Sequence, residues 1–194
     1  MSIREGKLIY HLTDIQNVQS IIENGLLPRK TMFENGFYFQ DVADQEILHF
    51  REENDLNKYV PFHFFGRNPF DGKVQLCHPQ SEFVYFCIHR NYARTKGFQI
   101  IPKHPLNMKP FIMYNYDDGM EKIEWDKMEV RDYSDYECKE ICMAERVYDG
   151  SISIHEFSNI YVKTEANKRY VDGLLEEYGI NNLYVNVNPN LFLQ

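Results

Sequence analysis

Hydrophobic positions fall into short alternating or continuous runs, separated by stretches with a period near 3.6, a pattern that predicts strands with helices between them. Leu8–His11 reads as a strand. Thr13 then reads as the N-cap of a helix, with Gln16 at the capping-box spacing, an apolar stripe of Ile15, Val18 and Ile22, and Gly25 at its end. Phe37–Phe39 predicts a short strand, and Asp41 the cap of a helix running to about Glu53 with Ile47 and Phe50 on its apolar side. VPFHFF at Val60–Phe65 reads as a buried strand despite Pro61. FVYFCIH at Phe83–His89 is the strongest strand and is expected near the centre of a sheet. A short helix at Asn91–Lys96 and a strand at Phe98–Ile101 follow.

Residues Pro102–Tyr136 show little periodicity, and so long a stretch inside a compact domain is often functional. Beyond it come a strand at Glu145, another near Ile160–Lys163, and a helix over Glu165–Tyr178. That helix has Tyr170, Val171, Leu174, Leu175 and Tyr178 on its buried face and Gly179 at its end. Leu183–Val187 closes the chain as a strand. Strands and helices do not alternate regularly enough for a doubly wound sheet, so the fold class is α+β, in one domain spanning residues 1–194.

Composition narrows the functional classes. No stretch approaches a membrane span, and MSIREGKLIYHL lacks an apolar leader core, so the expectation is a cytoplasmic protein that does not engage membrane. Cys77, Cys87, Cys138 and Cys142 fit neither a disulfide framework nor paired zinc knuckles, so reduced thiols and no metal are expected. The net charge of −8 argues against nucleic-acid binding by bulk attraction. Between Gly66 and Pro110, however, Arg67, Lys73, Arg90, Arg94, Lys96, Lys103 and Lys109 far outnumber the acids. That stretch is either a solvated face or a local surface for a phosphate backbone.

Neither a glycine-rich dinucleotide turn nor a P-loop is present. The candidate chemistry is a set of polar residues in apolar settings. Glu145 lies in Ala-Glu-Arg-Val-Tyr, where a carboxylate is costly to desolvate and is usually paired or used. His11 ends a strand, where it is either a packed histidine bonded to backbone or a cleft residue. Arg51, near Glu52 and Glu53, is either an exposed ion-pair partner or a ligand-binding group. Phe62, Phe64, Phe65 and Phe70 read more readily as core than as a base-stacking platform.

The order of these residues resembles that of the DarT-type DNA ADP-ribosyltransferases. LIYHLTDIQNVQSIIENGLL is similar to that family's opening Ile-Tyr-His-x-Thr-x-x-x-Asn strand and helix. YVPFHFFGRNPF resembles its Tyr-Val-Pro-Phe segment, IEWDKMEVRDY its Ile-Asp-Trp stretch, and MAERVYDGSISIHEFSNIYV its Ala-Glu strand and following turn. The resemblance implies an ADP-ribosyltransferase fold, a split β-sandwich-like core with peripheral helices and NAD in a cleft. It places His11, Leu12, Thr13, Ser20 and Leu27 on cofactor contacts, makes Arg51 an NAD-contacting catalytic arginine through the Ile47-x-x-x-Arg51 spacing, and makes Glu145 the catalytic glutamate. It further implies single-stranded DNA as acceptor, a toxin role and a macrodomain antitoxin as partner.

The chain departs from the family pattern in carrying EENDLNKY where a glycine-rich loop precedes YVPF, and in having Asn68 and Phe70 where the family has Ser and Met. Those residues, with IIPKHPLN, incline the reading to guanine over thymine as the modified base. Competing readings are an RNA base ADP-ribosyltransferase, an NAD-dependent RNA 2′-phosphotransferase, and a non-catalytic single-strand-binding module.

Overall fold

The computed structural model describes residues 2–41, 45–108 and 110–193. Strand β1 (Leu8–Asp14) runs further than its apolar pattern suggests, because Thr13 stays in the ladder opposite Val84. The cap is therefore Asp14 rather than Thr13. Its carboxylate accepts the Gln16 N–H at 2.9 Å and opens a 3-10 turn that leads into α1 (Val18–Asn24). Gly25, at φ 79°, ends that helix against the Ile152 carbonyl, where a Cβ would lie 2.8 Å from the oxygen.

Helix α2 (Arg29–Glu34) follows, and Phe37–Phe39 is irregular rather than a strand. The adjoining Gln40 satisfies its backbone through a side chain: Asn17 Nδ2 donates to its carbonyl at 3.1 Å, and Asn17 Oδ1 accepts its N–H at 2.8 Å. Residues 42–44, where the expected capped start of the next helix falls, lie outside the described residues; Asp41 pairs with Arg29. Helix α3 is Gln45–Glu53 and strand β2 is Tyr59–His63.

Helix α4 (Pro69–Cys77) was hidden in the sequence by its turn-like start. Asn68 caps it by accepting the Asp71 N–H at 3.0 Å, and Pro69 takes the first position, where a missing N–H costs nothing. Strand β3 (Phe83–His89), helix α5 (Arg90–Lys96) and strand β4 (Gln99–Ile101) match the pattern. The aperiodic stretch holds α6 (Tyr116–Lys122) and α7 (Trp125–Val130), with α8 (Tyr136–Ile141) just beyond. Each is too short to show a helical period. They form because Ile123, Trp125, Met128, Cys138 and Ile141 close a common core with Phe64 and Phe65. Arg146, fully buried, lies over the rings of Phe64 (4.1 Å) and Tyr116 (5.1 Å) and ties α6 to the sheet.

Strands β5 (Glu145–Asp149) and β6 (Asn159–Val162), helix α9 (Glu165–Glu177) and strand β7 (Tyr184–Val187) complete the chain. On α9, Val171 and Leu175 carry the buried face, whereas Tyr170 and Tyr178 are exposed. The order in the seven-stranded sheet is β4-β5-β2-β1-β3-β6-β7, antiparallel except for β6 with β7. β1 pairs with β3 along its whole length, and β2 with β5 along its own. β1 and β2, by contrast, meet in register only at Tyr10 and His63. The expected split core takes this form, one sheet with a seam. Pro61 lies at that seam with no N–H to give a ladder. Cys77 is exposed and Cys87, Cys138 and Cys142 are buried, all as free thiols.

Candidate active site

A cleft opens at the seam, walled by Leu26, Met32, Phe39, Ile47 and Val60. His11, Leu12, Thr13, Ser20, Leu27, Arg51 and Glu145, far apart in sequence, all line it. At its floor Arg51 Nη1 donates to Glu145 Oε2 at 2.8 Å, with both residues buried, 8 % and 4 % exposed. Arg51 is thus not the exposed ion-pair residue that its acidic neighbours allowed. Burial pushes the Glu145 carboxyl up. The Arg51 guanidinium, His63 and His104 outweigh it, so the group is held below the ordinary glutamate value and is ionised.

The pair is not saturated. Arg51 Nη2 and Asn57 Oδ1, both in the cleft wall, are buried and have no hydrogen-bond partner among the described residues. An orphaned guanidinium nitrogen at the base of a cleft is a ready donor to a phosphate or ribose oxygen. His11 Nδ1 lies 2.8 Å from the Pro61 carbonyl. A carbonyl only accepts, so Nδ1 carries the proton and Nε2 is left as an acceptor. Burial first, then His63 and Arg51, push the His11 pKa down to about 4 against the opposing pull of that carbonyl, so the ring is neutral near pH 7.

Asn17, part of the opening motif but given no role in the sequence reading, also serves this cleft. Besides holding Gln40, its Nδ2 donates to Thr13 Oγ1 at 3.0 Å, joining the end of β1 to the segment that roofs the cleft. Residues 17 and 40 are brought together only by tertiary structure. His63, within the VPFHFF strand, also reaches the cleft. It pairs with Glu145 across the two strands, and its Nδ1 donates to the Ala144 carbonyl at 3.2 Å.

A second cavity adjoins the cleft, and Ile47 and Phe70 line both. Arg67, Lys73, His104, Tyr133, Tyr136, Lys139 and Glu140 surround it. His104 Nδ1 and Glu140 Oε1 are buried and unpartnered among the described residues. Burial lowers the His104 pKa, Glu145 opposes the shift, and His63, Lys73 and Arg51 add to it. The basic stretch read from the sequence is not one surface. The Arg90 guanidinium is buried against three backbone carbonyls, Arg94 pairs with Asp117 and Lys96 with Glu156; Lys109 lies outside the described residues. Arg67 and Lys73 reach the cavity, joined by Lys139 from α8. Phe62, Phe64 and Phe65 are core, as expected, whereas Phe70 is the wall between the two cavities, its ring 5.3 Å from His63.

Solved structures share this fold. The chain has the fold of Thermus sp. 2.9 DarT in complex with ADP-ribosylated ssDNA, at 16% identity and TM-score 0.84, covering 100% of this chain and 99% of that one. The NAD+ complex of the same Thermus protein aligns at 16% identity and TM-score 0.78, over 97% and 98% of the two chains. Thermosipho africanus DarTG in complex with ADP-ribose aligns at 19% identity and TM-score 0.76, over 96% of this chain and 51% of that one. The fold is therefore that of these DarT structures. Residues 10–193 match the family model described as ssDNA thymidine ADP-ribosyltransferase, DarT, and the chain belongs to that family. No curated protein matches it in sequence.

Proposed function

We propose that this protein transfers ADP-ribose from NAD+ to thymidine in single-stranded DNA. The observation that carries the reading is the buried Arg51–Glu145 pair, with one guanidinium nitrogen unsatisfied, at the floor of a cleft that also holds the neutral His11. Breaking the nicotinamide–ribose bond builds positive charge on the ribose, and an ionised carboxylate held in a dry, fixed position stabilises that charge. Glu145 has this role, and Arg51 keeps it ionised while its free nitrogen binds cofactor oxygen. His11 Nε2, Thr13 Oγ1 and Ser20 orient the nicotinamide side, with Leu12 and Leu27 on the cleft wall.

The acceptor strand occupies the second cavity, where Arg67, Lys73 and Lys139 face phosphate and the base reaches past Phe70 toward Glu145. A base can enter only when unstacked, which favours single strands. Thymine, the base in the family's description, replaces guanine as the proposed target. N1 of thymine carries the sugar, so N3 is the ring nitrogen that can attack and must lose its proton. The edge of thymine is N3–H between two carbonyls, and here the unpartnered Glu140 Oε1 accepts the N3–H while His104, as its Nδ1–H tautomer, donates to a flanking carbonyl.

The Thermosipho relative, named DarTG and about twice as long, supports a toxin paired with an antitoxin, for which a macrodomain that removes the mark is the proposed partner. No helix among the described residues is long and apolar enough to cross a membrane, and a cytoplasmic setting is proposed, where NAD+ and exposed single strands coexist. The test is mass spectrometry after incubation with NAD+ and oligonucleotides. An adduct of one ADP-ribose on thymine-containing DNA is expected. Adducts on RNA alone, or on oligonucleotides lacking thymine, would replace this reading.

A further inference from the structure

The Gly66–Arg67 turn sits on a polar cluster that the reaction above does not use. Arg67 has φ 58°, a left-handed conformation that a residue with a Cβ adopts at a cost, and so needs support from its surroundings. Gly66 packs so closely that a Cβ there would lie 3.1 Å from Leu191 and 3.4 Å from the Tyr85 ring. The Arg67 N–H donates to the Tyr85 hydroxyl at 2.9 Å, and that hydroxyl donates to Asp71 Oδ2 at 2.8 Å. Asn68 Nδ2 donates to the same oxygen at 2.6 Å and to the Phe65 carbonyl at 3.1 Å.

Helix capping accounts for only part of this. The cap of α4 is complete once Asn68 Oδ1 accepts the Asp71 N–H, and it asks nothing of the Asp71 carboxylate. Yet Asp71 is 1 % exposed, with Oδ1 unpartnered among the described residues, an arrangement that is expensive to maintain. Asn68, moreover, is one of the positions at which the chain departs from the family pattern. The carboxylate's two bonds lead to Tyr85 and Asn68, and so to the backbone on both sides of Arg67.

We infer that Asp71, through the Tyr85 hydroxyl and Asn68, is a positioning residue that locks Arg67 in its left-handed turn so that the guanidinium meets the acceptor strand's phosphate at the second cavity. The inference rests on the proposed function, because it gives Arg67 an acceptor to meet. The cluster lies under the acceptor cavity and does not line the cofactor cleft, so its loss acts on one substrate only.

The test is steady-state ADP-ribosyl transfer with oligonucleotide and NAD+ varied separately, for Tyr85→Phe, Asp71→Ala, Asp71→Asn, Arg67→Ala and the Tyr85→Phe/Arg67→Ala double variant. Tyr85→Phe and Asp71→Ala should each raise the oligonucleotide KM about tenfold, the worth of one hydrogen bond to a charged group, with the NAD+ KM within about twofold of wild type. Asp71→Asn keeps an oxygen for both donors and should restore the oligonucleotide KM. In the Arg67→Ala background, Tyr85→Phe should have no further effect, because both changes act through one side chain. Additive effects, or an NAD+ KM that rises in step, would overturn the inference and leave the proposed function standing. An Arg67→Ala protein with unchanged oligonucleotide KM would overturn both the inference and the placement of the acceptor strand.

Discussion

Glu145 and Arg51 are so deeply buried that deleting either side chain leaves the other as a lone interior charge, a change that costs about 3–5 kcal/mol. A Glu145→Ala protein therefore loses stability as well as activity. Glu145→Gln is the cleaner probe because it keeps an acceptor for Arg51 and removes only the charge. Transfer should fall about 10²- to 10³-fold, the usual effect of removing one preorganised electrostatic group, while NAD+ affinity by calorimetry changes less than tenfold. A Gln variant within tenfold of the wild-type rate would remove Glu145 from the chemistry.

His11 offers a second handle at the same scale. Its folded pKa of about 4 lies below the ordinary 6.5, so between those values the unfolded chain binds a proton that the folded chain does not. Stability must therefore fall as the pH drops from 6.5 to 4. Asp71, pushed up to about 6 chiefly by burial, works in the opposite sense, adding stability as the pH falls from 6 toward its ordinary 3.8. The wild-type profile is flattened by this opposition. His11→Gln, which keeps a polar side chain but cannot titrate, should lose less melting temperature than wild type between pH 7 and 4.5. Scanning calorimetry at the two pH values measures the difference.

At the scale of elements, two helix-interior glycines have opposite meanings. Gly119 is where α6 meets β4, and a Cβ there would lie 2.4 Å from Ile100 Cβ. Gly173 in α9 has nothing within 4 Å of the corresponding position. Gly173→Ala should stabilise by about 0.5–1 kcal/mol through helix propensity alone. Gly119→Ala should destabilise by about 1–3 kcal/mol because the clash exceeds the same gain. For a chain of this size each kcal/mol moves the melting temperature about 2–4 °C, so thermal unfolding separates the two signs. The contact also bears on the proposed acceptor site, because the α6–α8 segment contributes Tyr133, Lys139 and Glu140 to the second cavity.

For the whole molecule, the acidic balance of −8 is compatible with the proposed anionic acceptor because three cations, Arg67, Lys73 and Lys139, line one cavity. With Arg67, Lys73 and Lys139 as the proposed phosphate contacts, each contributes about −0.7 to the slope of log affinity against log salt for a single strand. A slope near −2 is expected from fluorescence anisotropy with a labelled oligonucleotide. A slope steeper than about −4 would require a larger basic surface than the cavity supplies.

Chemistry and local conformation were legible where they depend on residue type and near neighbours. The strands β1, β3 and β5, the glycines ending α1 and α9, and the cost of desolvating a carboxylate at Glu145 all follow from local sequence. The short helices α6 and α7 in the aperiodic stretch, and α8 just beyond it, were not legible, since a six- or seven-residue helix is stabilised by the core it closes and not by its own pattern. The same limit explains Phe37–Phe39, where Asn17 captures the neighbouring backbone, and Thr13, kept in the ladder by β3. The sequence alone determined which residues could do chemistry. Tertiary structure decided which of them meet, because the seam between β1 and β2, the burial that joins Arg51 to Glu145, and the dispersal of the basic stretch are products of long-range pairing that no local pattern encodes.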